Sequence, residues 1–219
     1  MKLENKLEPS IEELCKMVHI LFNNQKEYRC EMIGDIPFKN GIYIIFEKGE
    51  HYYGYKRIVR VGTHKSLNRL QKRMKDHFIR MNKDGSIFRK NIGKALLNKD
   101  NDEYLSIWSL NTSQQKNRQF INKEKQKAIE LSVSEYMKNN ITFTVFDVED
   151  TPIRMKLESA LISLLNRSND FHQSAEWLGN YSTEDKIRNS GMWLKQGLSS
   201  EPLTLEEFNF IEDSLRKNS

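Results

Sequence analysis

Two runs rich in β-branched and aromatic residues, Ile42 to Phe46 and Tyr55 to Val61, stand either side of a predicted Gly49-Glu50 turn, and the main helical patterns come after them. A hairpin ahead of the helices excludes a doubly wound sheet, where strand and helix alternate from the start, and points to an α+β fold. The expected architecture is a small, mostly antiparallel three-stranded sheet flanked by helices, with helical extensions at both ends. Leu67 to Met81 puts Leu67, Leu70, Met74 and Phe78 on one helical face, with Arg69, Lys72, Arg73, Lys75 and His77 around the rest. A second basic helix is predicted from Ser86 to Leu97, with Ser86 as its N-cap. Tyr104 to Leu110 has β-type composition and is predicted to add a strand, while Gln114 to Asn140 reads as helix after an initial loop. Ile141 to Val148 alternates as a strand, and Thr151-Pro152 opens an amphipathic helix running to Asn166. Ahead of the hairpin, Ile11, Leu14, Val18, Leu21 and Phe22 predict a helix over 10–29, started by a Ser10/Glu13 capping box. A loop to Ser182, a short helix over 183–188 and an acidic helix over 203–217 close the chain. Three segments result: an N-terminal extension over 1–36, a central domain over 37–170 and a C-terminal subdomain over 171–219.

Charge is concentrated rather than spread. The net charge is +5, yet Lys56 to Lys94 holds thirteen Lys and Arg against Asp76 and Asp84 alone, which is +11 there and −6 elsewhere. A localised positive field beside a sheet favours a polyanion, and nucleic acid is the expected partner. No run approaches the roughly 18 apolar residues of a membrane span, and the first residues lack the apolar core of a signal peptide, so the expectation is a cytoplasmic protein with no membrane partner. Two cysteines, Cys15 and Cys30, are too few for a disulfide scaffold or a thiolate metal cage.

Gly41-Ile42-Tyr43, Arg60-Val61-Gly62, Arg73-Met74-Lys75-Asp76-His77 and Glu158 occur in an order that resembles the GIY-YIG nuclease family. The resemblance runs from Gly41 to about Asn169. Beyond it, Trp177-Leu178-Gly179 and Ile187 to Trp193 are similar to uncharacterised and restriction-type members. It implies a DNA endonuclease dependent on Mg²⁺ or Mn²⁺, with catalytic residues Tyr43, Arg60, Arg73, His77 and Glu158, the last also the metal ligand. One departure stands out: Arg60 occupies the place of the second signature's tyrosine, which the family credits with taking the proton from the attacking water. Tyr43 is then the candidate base, with Arg60 lowering its pKa or binding phosphate; His64 and Tyr55 are alternatives. Arg69 rivals Arg73, which is preferred because His77 lies one turn further on.

The residue types suit the chemistry. One carboxylate with waters and substrate oxygens is a common way to hold Mg²⁺. A guanidinium stays cationic and presents a planar fork to a phosphate gaining charge, and His77 can donate to a phosphate oxygen or assist proton transfer. Arg69, Lys72, Arg89 and Lys90 are expected to contact the nucleic-acid backbone, and the resemblance implies a polar residue supporting the site at Asn169, with Asp170 as the alternative. Trp177 and Trp193 are expected in the core. Symmetric duplex cutting would require a homodimer. A catalytically silent nucleic-acid-binding module is the alternative function, and RNA or branched DNA the alternative substrate.

Overall fold

A computed structural model describes residues 8–217. Its centre is a three-stranded antiparallel sheet in the order β2-β1-β3, formed by β1 (Ile42–Tyr52), β2 (Tyr55–Gly62) and β3 (Ile141–Phe146). The hairpin turn lies further along than Gly49-Glu50. Tyr52 pairs with Tyr55, so the loop is Tyr53-Gly54, both at positive φ (48° and 83°), as a two-residue turn between twisted strands requires. Gly49 instead sits in a register shift between Phe46 and His51.

Both faces of the sheet are buried, which is why β1 begins with a continuous apolar run instead of alternating. Ile42, Ile44, Phe46, Ile58 and Val61 belong to one core. It also takes in α1 (Ile11–Asn23), α7 (Thr151–Arg167) and α9 (Leu205–Lys217), and so draws on all three segments of the chain. The Ser10/Glu13 capping box is present at the start of α1. Tyr43, Ile45, Val59, Phe143 and Val145 face the second core. There α2 (Leu70–Phe78), α3 (Ile87–Lys99), α4 (Leu105–Ser109) and, after the single turn α5 (Gln115–Arg118), α6 (Lys123–Asn140) pack together.

The expected strand over Tyr104–Leu110 is the helix α4. Trp108 is fully buried, its indole N–H donating to the Lys90 carbonyl at 3.0 Å, and its ring fills the space that Gly93 leaves on α3. Seven residues are too few for periodicity to separate the two states, so packing decides.

The chain returns to the sheet through the short helix α8 (Asp185–Ser190) and a strap over 191–197. The Trp193 N–H donates to the Val59 carbonyl at 2.8 Å. The Trp193 and Trp177 indoles both donate to the buried Glu47 carboxylate, at 2.7 and 2.9 Å, so both tryptophans are core residues as expected. Among the described residues, no helix is long and apolar enough to cross a membrane.

Candidate active site

At the end of the hairpin, Tyr43 on β1 lies opposite Gly62 on β2. A Cβ on Gly62 would stand 2.2 Å from the Tyr43 hydroxyl, so only glycine lets the phenol lie across β2 with its oxygen at the sheet's end. That oxygen is 2.9 Å from His77 Nε2, and His77 Nδ1 is 2.6 Å from the Oγ of Ser86, the N-cap of α3. His77 is wholly buried. Burial, then the charges of Arg73, Arg60 and Arg89, push its pKa well below the ordinary histidine value. A neutral imidazole therefore bridges the two hydroxyls, donor to one and acceptor from the other.

Glu158 reaches the same place from α7. Its Oε1 accepts the Thr63 N–H at 3.0 Å, directly after Gly62. Burial raises its pKa, against the opposing effects of Arg60, the Thr63 N–H, Arg73 and Lys65. Its Oε2 has no protein donor among the described residues. Arg60 lies on the same sheet face as Tyr43, stacked over Phe88 at 5.2 Å and donating to the Trp193 carbonyl, while its enclosed Nε–H has no acceptor. Arg73, half-buried, donates to the Gly85 carbonyl at 3.2 Å.

These groups line one cavity of about 450 Å³. Tyr43, Arg60, Arg69, Arg73 and Glu158 all border it, so the sheet, the entry to α2, α2 itself and α7 converge on one cleft. His77 does not line it, because the imidazole lies behind the Tyr43 hydroxyl with both ring nitrogens engaged; the expected direct donation from His77 to a phosphate oxygen is corrected to a contact with Tyr43.

The outlying candidates fall elsewhere. Arg89, expected to meet backbone phosphates, is fully buried and bonded to Glu130 at 2.7 Å, so its guanidinium faces the interior. Lys90 is half-buried and held by Asp84 and the Leu110 carbonyl. Lys72 is exposed on α2 outside the cavity lining, and Asn169 is exposed beyond the far end of α7, donating to Glu12 at 3.1 Å. Sequence reasoning missed the far wall of the cleft, Leu194, Gln196 and Gly197, since nothing in the strap's residue pattern shows which element it meets. It also passed over the wall formed by Thr63, Lys65 and Ser66 after β2.

Among the described residues no group of three or more His, Cys, Asp or Glu could hold a metal. The donor set that does exist is one carboxylate with a free oxygen, bordered by the hydroxyl-bearing Thr63, Ser66 and Ser159. That fits a hard ion keeping most of its waters and taking further ligands from a phosphate, as Mg²⁺ does, and does not fit a caged transition metal.

The fold and cleft define an α+β protein with cationic side chains gathered around a single carboxylate at the open end of a small sheet. The chain belongs to the GIY-YIG domain family: the family model matches residues 5–217, nearly its whole length, and marks a nuclease-type fold. No curated protein and no solved structure gave a match.

Proposed function

We propose that the protein is a divalent-metal-dependent endonuclease that hydrolyses phosphodiester bonds in DNA. The observation that carries this reading is the convergence of Tyr43, Arg60, Arg73 and Glu158 on one cavity. Arg73 and Arg60, which both line the cavity, supply positive charge for the scissile phosphate, whose equatorial oxygens gain charge as water attacks. The Tyr43 hydroxyl, tethered by His77, orients that water. Glu158 would hold the Mg²⁺ or Mn²⁺ ion, which when bound supplies charge neutralisation at the phosphate and at the leaving oxygen. Among the described residues one such cavity is present, so symmetric duplex cleavage would pair two chains.

Conversion of supercoiled plasmid to nicked circles, with Mg²⁺ or Mn²⁺ and with chelator, tests the reading. Glu158→Gln keeps the acceptor for Thr63 but removes the charge, and is expected to slow nicking by a factor on the order of 10²–10³. DNA binding without metal-dependent nicking by the unaltered chain would assign it instead as a silent binding module. Cleavage of RNA or branched DNA alone would change the substrate.

A further inference from the structure

The cleft is cationic on one side and neutral on the other. Arg60, Lys65, Arg69 and Arg73 border it from β2, the loop that follows and the start of α2. The strap adds only Leu194, Gln196 and Gly197 to the lining, and its lysine, Lys195, stays outside that lining, 3.2 Å from Glu184. Cationic groups position a phosphate, whereas sequence is read by neutral polar and apolar contacts to a base, so the strap side suits the nucleoside.

Gln196 is the polar side chain there. It is exposed, and its amide has no hydrogen-bond partner among the described residues. The backbone that carries it is held on both sides. Ahead of it, the Trp193 N–H bonds the Val59 carbonyl and the Trp193 indole the Glu47 carboxylate. After it, Gly197 (φ 80°) packs on Ile162 of α7, where a Cβ would stand 3.2 Å from that side chain, and the Leu198 carbonyl accepts from Asn166 at 3.1 Å. A free amide on a fixed backbone gives up less freedom on binding than one on a loose loop. Gln196 also borders a second cavity of about 290 Å³, which shares Arg60, Ile87 and Leu194 with the cleft, so there is room for a base beside the phosphate.

We propose that Gln196 is a specificity-determining residue whose amide reads the edge of the base next to the scissile phosphate. A side-chain amide presents a donor and an acceptor in one plane, and adenine offers the matching pair on its major-groove edge, N7 to accept and N6–H to donate. Guanine shows two acceptors there, thymine one acceptor and cytosine one donor, so each leaves half of the amide unpaired. The inference rests on the nuclease reading and names what that site selects.

Duplex DNA of random sequence, cut by the unaltered chain, Gln196→Ala and Gln196→Glu with the product ends sequenced, tests it. Preference is a ratio between bases within one protein, so a change in overall rate leaves it readable. The unaltered chain is expected to favour adenine at one position beside the cut by about 5–150-fold, the range one bidentate contact supplies. Gln196→Ala is expected to lose that preference at that position alone. Gln196→Glu, whose carboxylate only accepts, is expected to move it to cytosine, whose N4–H donates. A residue that merely shaped the strap would not transfer a preference from one base to another. Cleavage by the unaltered chain without adenine preference beside the cut, a preference that survives in Gln196→Ala, or a folded Gln196→Ala chain that no longer cuts overturns the assignment alone. No cleavage by the unaltered chain overturns it together with the nuclease reading.

Discussion

His19 and His77 are both buried, uncharged imidazoles, and they serve different ends. His19 on α1 donates from Nδ1 to the Cys15 carbonyl at 2.8 Å, and its Nε2 accepts the Ile58 N–H at 3.3 Å, which fastens the helix to β2. A proton on Nε2 would break that second bond, and burial brings the pKa down to about 4. An unfolded histidine titrates near 6.5. The depressed value makes His19 stabilising above that pH, and its contribution is lost as pH falls from 6.5 through about 4. The loss is roughly 3 kcal/mol in all. Denaturant unfolding at neutral pH and near pH 4 should therefore show a larger acid loss in the unaltered chain than in His19→Gln, which does not titrate. Equal losses would contradict the assignment. His77 lies between Tyr43 and Ser86, so its protonation would disturb the phenol that borders the cleft.

At the scale of elements, the Arg89 guanidinium locks three helices together. From α3 it meets the Glu130 carboxylate and the Ser134 hydroxyl on α6 and the His77 carbonyl on α2. The second Glu130 oxygen accepts the Lys83 N–H at 2.6 Å. Removing the acid strands a buried cation, so Glu130→Ala should destabilise the fold by about 3–5 kcal/mol, measured by denaturant titration. A loss under about 1 kcal/mol would place the pair among ordinary surface ion pairs. The same helix shows where sequence reading ran out. Its Arg89 and Lys90 read as contacts to backbone phosphates, but Phe88, Arg89, Asn91, Ile92, Gly93, Ala95 and Leu97 are buried around nearly its whole circumference. A residue-type pattern carries no sign of a carboxylate waiting on another helix. By contrast, β1 and β2 were legible as short apolar runs rich in β-branched and aromatic residues, α2 because it buries one face whose period shows in the chain, and α7 from its Thr-Pro start. The cleft was legible to the same extent: residues at the ends of those elements meet, while the strap wall and the withdrawal of His77 behind Tyr43 depend on tertiary packing.

Across the whole molecule, the positive field is narrower than the count of basic residues implies. Of the thirteen between Lys56 and Lys94, seven have a carboxylate within ion-pair distance: Lys56, Arg57, Arg80, Lys83, Arg89, Lys90 and Lys94. The other six, Arg60, Lys65, Arg69, Lys72, Arg73 and Lys75, have none among the described residues, and all lie between the end of β2 and α2. Unneutralised charge therefore surrounds the carboxylate cleft, while Arg89, Lys90 and Lys94 of α3 are paired with carboxylates. Backbone phosphates release counterions only to free cations, so the salt dependence of DNA binding should follow the first group. Lys65→Gln with Lys72→Gln should shallow the slope of log affinity against log salt by about 2, since each phosphate contact contributes about 0.9. Lys94→Gln, whose ammonium is 2.8 Å from Glu184, should leave the slope unchanged. Fluorescence anisotropy over a salt series measures both. The reverse ranking would move the DNA path from the hairpin end to α3, away from Glu158, and would separate the positive field from the cleft it is inferred to serve.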